Sequence, residues 1–250
     1  SDAVTTGTQN TALGSAALTA CTTSSNNTAL GFLAGGAITT GASNTIIGAL
    51  AGDAVTTGST SVIIGQSAGT AMTTASENVI IGNNAGAALT TGGQNILIGD
   101  NAGAGGAITG IRNVAVGDNA LYAVVGAGGN IGIGYAAGDA ITSGNNNVVV
   151  GTNAGSALTS GHENTYIGNN AGATATTAGY NICIGDGAGN GGVTTGDHNI
   201  VMGHSAGDAL TSAANNVMIG QSAGTSMTTA TVNVAVGVEA LYYCTTGSGN

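Results

Sequence analysis

The sequence predicts an all-β fold: a β-solenoid (parallel β-roll or β-helix) of about 14 coils with a 17-residue repeat. Three observations carry this reading. Asn stands at residues 10, 27, 44, 78, 95, 113, 130, 147, 164, 181, 199, 216, 233 and 250, with Ser61 in the same register, and twelve of the fourteen intervals are 17 residues. Gly follows four residues after each Asn and Ala three further on, without exception, from Gly14 and Ala17 to Gly237 and Ala240. The three residues between Asn and Gly are mostly β-branched or aliphatic, as in "VII" at 62–64 and "VVV" at 148–150, which is how a short buried strand bounded by turn formers reads.

Each coil is justified from its Asn onward, counting that Asn as place 0. Stacked one strand spacing apart, about 4.8 Å, the Asn side chains form a ladder in which each amide bonds its neighbours above and below; Ser61 interrupts it once. The strand follows at places 1 to 3. The Gly at place 4 supplies a positive φ or lets backbone approach backbone at a corner, and the Ala at place 7 faces a narrow interior. Place 8 is Gly in eleven coils and Leu in three, Leu18, Leu121 and Leu241. A Thr-Thr-Gly corner closes the unit. Gly and Thr-Thr at this frequency exclude a helix, and 17 residues leave room for two or three short strands. The two 18-residue intervals, Asn95 to Asn113 and Asn181 to Asn199, contain the Gly-rich segments "GAGGAITGIR" and "GNGGVTTGDH", which loops absorb. Residues 1–250 read as one repeat domain, a rod on the order of 67 Å long.

Strand alternation places the first and third strand residues, such as Val79 and Ile81 or Ile131 and Ile133, inside the coil and the middle one outside. That middle place holds Ala12, Ala29, Ile46, Ile63, Ile80, Leu97, Val149, Tyr166, Cys183, Val201 and Met218. An outward apolar stripe results, and with it an expectation of self-association, as a homotrimer or an end-to-end filament. The surface favours this too, because only 5% of residues are charged and little repulsion keeps copies apart.

Composition narrows the function. Arg112 is the only permanently cationic side chain against eleven carboxylates, so nucleic acid and anionic membrane surfaces are excluded as electrostatic partners. No apolar run reaches the length of a transmembrane helix. The chain opens on "SDAVTTG" without a basic, apolar leader and without Met, consistent with a processed chain or a piece of a longer fibre. "DAVTTG" also repeats residues 53–58, and "TTGSGN" closes the chain where another strand is due, so no polar cap is expected at either end.

The strings "NVAVG" (113–117 and 233–237), "NTALG" (10–14 and 27–31) and "NTIIG" (44–48) resemble the head repeats of trimeric autotransporter adhesins. "NVAVGDNALYAVVGAGGNIGIG" (113–134) and "NVAVGVEALYYCTTGSGN" (233–250) are similar to shaft repeats of phage tail fibres. The resemblance covers the whole chain. It implies a left-handed parallel β-roll, a trimer with the middle strand residue near the inter-chain seam, and a place outside the cell, at a cell surface or on a virion. The coil here is longer than the adhesin coil, and its Thr-Thr-Gly corner differs.

No catalytic, cofactor-binding or metal-binding residues are expected. Asp100 and Asp118 share one place in successive coils, as do Asp186 and His204, but Gln66, Asn83, Asn169 and Gln221 fill that place elsewhere, as in a solvated turn. The Gly-Gly-x-Gly-x-Asp calcium repeat is absent, and His162, His198 and His204 lack zinc spacing. Cys21, Cys183 and Cys244 read as small core residues or as inter-chain partners. The reading is thus a non-enzymatic extracellular structural protein, a self-associating fibre, filament or shaft. The alternatives are ice binding through Thr, which stands five residues before the Asn in thirteen of fifteen cases, interrupted by Ile108 and Val125, and a fibre that binds a receptor or carbohydrate. Against ice binding, adjacent strand residues face opposite ways, which leaves one Thr rank outward if that segment is a strand.

Overall fold

The computed structural model describes residues 6–192 and 194–250. Among the described residues the chain forms fourteen three-residue strands and no helix. These fall into two compact units. The first, ending at Gly128, holds β1 (Thr11–Leu13), β2 (Thr28–Leu30), β3 (Thr45–Ile47), β4 (Val62–Ile64), β5 (Val79–Ile81), β6 (Ile96–Ile98) and β7 (Val114–Val116). The second, Gly129–Asn250, holds β8 (Ile131–Ile133), β9 (Val148–Val150), β10 (Thr165–Ile167), β11 (Ile182–Ile184), β12 (Ile200–Met202), β13 (Val217–Ile219) and β14 (Val234–Val236). Within each unit every strand pairs in parallel with the strand of the next coil and without stagger, Ile46 beside Ile63 and Val149 beside Tyr166. Both units are therefore β-solenoids. The 18-residue coils keep this register, with Leu97 beside Ala115 and Cys183 beside Val201.

Each coil carries one named strand, not two or three. The rest is turn and bend, with isolated bridges such as Ala214 to Thr231. The cause is backbone conformation: in the coil that starts at Asn44, Gly48, Leu50, Gly52 and Thr60 all have positive φ, at 136°, 60°, 51° and 58°. They break the chain over residues 48–52 and again just before Ser61, and the stretch between, residues 53–59, runs as turn and bend without a continuous ladder.

The strand faces are the reverse of those expected. Ile46, Ile63, Ile80, Leu97, Val149 and Val201, all middle residues, are completely buried, while Val79, Ile81 and Ile131 are half-buried and Ile133 is exposed. The period of two holds, but its phase is set by the Asn, which lies inside: with place 0 inward, places 1 and 3 turn out and place 2 turns in. From Ala29 to Met218 the expected stripe of middle residues is thus core, and only Ala12, in the first coil described, is exposed.

The Asn goes inside because the ladder satisfies it. Asn147 Nδ2 donates to Asn130 Oδ1 at 3.0 Å and, across the coil, to Gly161 O at 2.9 Å. Its Oδ1 accepts from both the backbone N–H and the Nδ2 of Asn164 at 3.0 Å. Every polar hydrogen of the buried amide is used, as burial demands. At Ser61 the hydroxyl still accepts from the Asn78 N–H at 3.2 Å. Around the ladder the core is thin: the place-2 residue, the Ala at place 7, and an aliphatic side chain at place 11 such as Ile38, Val55, Met72 or Leu89, all buried.

At place 4 both reasons for Gly apply. Gly65 has φ 134°, a conformation open essentially to Gly alone, and a methyl added there would collide with the carbonyl of Gly82 in the next coil. No helix among the described residues is long and apolar enough to cross a membrane.

Candidate functional site

The inward phase leaves the first and third strand residues outside, so each unit presents two parallel ranks of side chains along its sheet. The first rank of the first unit runs Thr11, Thr28, Thr45, Val62, Val79, Ile96, Val114, and its third-place rank is Leu, Ile or Val throughout. In the second unit both ranks are Ile, Val or Met except Thr165. Ile96, Ile133, Ile167, Ile182 and Ile219 each leave 37–40% of their surface bare. An apolar outward stripe exists, twice as wide as expected and built from other residues.

The Thr corner also differs from expectation. Thr39 and Thr40 form a bend, not a strand, and both are exposed. The opposite-faces rule therefore does not apply there, and both Thr residues point outward along Thr39/Thr40, Thr56/Thr57, Thr73/Thr74 and Thr90/Thr91, the first of each later pair half-buried. The first hydroxyl is locked: Thr39 Oγ1 donates to Thr56 O at 3.2 Å and Thr56 Oγ1 to Thr73 O at 3.1 Å. Thr194, in an 18-residue coil, turns inward and is buried, as is Ile108 in the other. Thr5 and the opening "DAV" lie outside the described residues.

The described Asp, Glu and His residues lie outside the strands. Asp100 and Asp118 are exposed at place 5 of successive coils. Asp186 Oδ2 lies 3.9 Å from His204 Nε2, and its Oδ1 accepts from Asn169 Nδ2 at 3.2 Å, all in solvent. Such exposed pairs are screened and contribute little. His162 and His198 flank Tyr180, one edge-on at 5.0 Å and the other stacked at 4.8 Å; Tyr180 and His198 each stand immediately before an Asn, one rung apart, and His162 lies two residues before Asn164. Among the described residues no group of three or more His, Cys, Asp or Glu is placed to hold a metal ion.

Burial desolvates Asp53 and Asp139 and raises their carboxyls above the ordinary value of 3.8, although backbone N–H groups offset part of the effect. Asp139 Oδ1 is buried with no hydrogen-bond partner. Cys183 is a middle strand residue whose thiol is pushed up to about 12 by burial, and Cys21 is fully buried against Ser24, its Sγ 2.9 Å from the hydroxyl. Both are small core residues that no second chain can reach; Cys244 is half-buried and free. A cleft of about 310 Å³ lies between Glu239, Tyr242 and Tyr243. No protein-family model and no curated protein matches the chain, so its reading rests on the geometry of these faces.

Proposed function

We propose that the chain is a non-enzymatic structural element, a self-associating β-solenoid that forms part of an extracellular fibre, filament or shaft. The observation that carries this is the pair of outward ranks on the sheet of each unit, aliphatic except at Thr11, Thr28, Thr45 and Thr165 and half-buried to exposed. Apolar area arranged as a continuous strip is what soluble monomers avoid and what interfaces use. The long-range backbone and Asn ladders supply stiffness, and the scarcity of charge removes the usual barrier to association. Light scattering and electron microscopy of the purified full chain test the reading: a trimer or an open filament is expected, and a monomer of 23.4 kDa at all concentrations would sink it.

A second reading, ice binding, draws support from the outward position of both Thr residues of each pair in the first unit. Hydroxyls and methyls repeated at the rung spacing of about 4.8 Å suit an ordered water layer. An ice-recrystallisation assay decides: inhibition lost in Thr57→Lys/Thr74→Lys favours this reading, and no inhibition by the wild type removes it.

A further inference from the structure

We infer that the partner of the outward strand face is the same face of a second copy of this chain, with the seam formed rank against rank by the first and third residues of successive strands. This rests on the self-associating reading above. Three observations lead to it. The first is charge: none of the outward strand residues is ionisable, whereas the described carboxylates of this net −10 chain lie outside the strands, as at Asp53, Asp100, Asp118 and Asp186. Two copies that meet on this face therefore bring no carboxylates against one another. The second is pitch. Side chains such as Val62, Ile64, Val79 and Ile81 recur at the rung spacing of about 4.8 Å, so the surface that fits their grooves over seven rungs is another ladder of the same pitch. The chain itself is such a ladder, and β-branched ranks from two sheets interdigitate at about 10 Å separation, as in sandwiches and dry zippers.

The third is area. An aliphatic side chain carries on the order of 100 Å², and roughly a third of it is bare at these places. The fourteen outward residues of one unit therefore offer about 500 Å² per copy, and two copies meeting over one unit bury about 1,000 Å², the threshold of a specific interface. The seven strands of the other unit carry a comparable area.

The test compares native mass for the full chain and two surface variants, with circular dichroism to verify the fold. Wild type is expected as a multiple of 23.4 kDa. Ile64→Glu/Ile81→Glu is expected to fall to the single-chain mass with an unchanged spectrum, while Thr57→Lys/Thr74→Lys stays assembled. A folded Glu variant that remains assembled overturns the seam and leaves self-association standing; a wild type that is a monomer overturns self-association itself. Should the Glu variant fail to fold, Val62→Thr/Ile64→Thr/Val79→Thr/Ile81→Thr replaces it, since Thr already stands outward at Thr11, Thr28, Thr45 and Thr165. At least a tenfold rise in the dissociation constant is then expected, and an unchanged constant overturns the seam.

Discussion

Leu18, Leu121 and Leu241 adopt φ of 50°, 48° and 50° where eleven other coils use Gly. A branched side chain in the left-handed region costs about 1–2 kcal/mol, so something must offset it. These three coils have Ala at the middle of the strand, Ala12, Ala115 and Ala235, where most others have Ile, Val, Leu or a larger residue. A methyl at place 8 points straight at that residue, as the contacts of Gly103 with Leu97 show; the Leu fills the volume the Ala leaves. Leu121→Gly should therefore relieve the backbone yet lose about 2 kcal/mol net through the cavity. Adding Ala115→Ile should recover most of that loss although it overpacks the core when introduced alone, and urea unfolding of the four proteins measures the coupling. Asp139 illustrates the opposite case, a group the core does not satisfy. Its carboxyl is raised by folding, so its contribution to stability is present below pH 3.8 and is lost as pH rises through the folded-state value. Asp139→Ala, matching Ala87 and Ala173 at the same place, should raise the melting temperature by about 1–2 °C at pH 7 and have little effect at pH 3.

Along one coil, the Asn rung is the element that ties corner to strand. Its weak point is Ser61, which accepts from Asn78 but is too short to bridge to the carbonyl at place 14, Ala75, as Asn44 bridges to Gly58. Ser61→Asn should restore both donors and stabilise by about 1–2 kcal/mol, seen as a higher urea midpoint. The period, the strand, the Gly corner and the ladder were legible in the sequence because each depends on an invariant residue type. The phase of the strand was not, because a ladder of amides can stand on either face of the coil and strand alternation alone does not say which. Nor was the single strand per coil. The left-handed residues that break the chain include Leu50, Thr60, Glu77, Gln94 and Val232, types that do not announce positive φ, and with the bend at Thr39 unseen the second outward Thr rank was missed as well.

At the scale of the whole molecule, stability is a sum of near-identical coils and the contacts between neighbours. Arg112 makes this measurable, as the sole Lys or Arg and hence the sole tryptic site. It is exposed, but its N–H bonds Gly93 O at 3.3 Å and the N–H of Asn113 is held by Asn95 Oδ1 at 2.9 Å, so the scissile bond lies inside the ladder. Trypsin should leave the 23.4 kDa chain intact in buffer and cut it once as urea reaches the unfolding transition, as gel electrophoresis would show. The same ladder has a direction. Within each unit every Asn Oδ1 accepts from the coil that comes later in the chain, as Asn27 does from Asn44 and Asn199 from Asn216. A finished coil thus offers ready acceptors to residues not yet translated. A chain cut short after a complete coil should then still fold up to the cut, which circular dichroism of such N-terminal pieces would test.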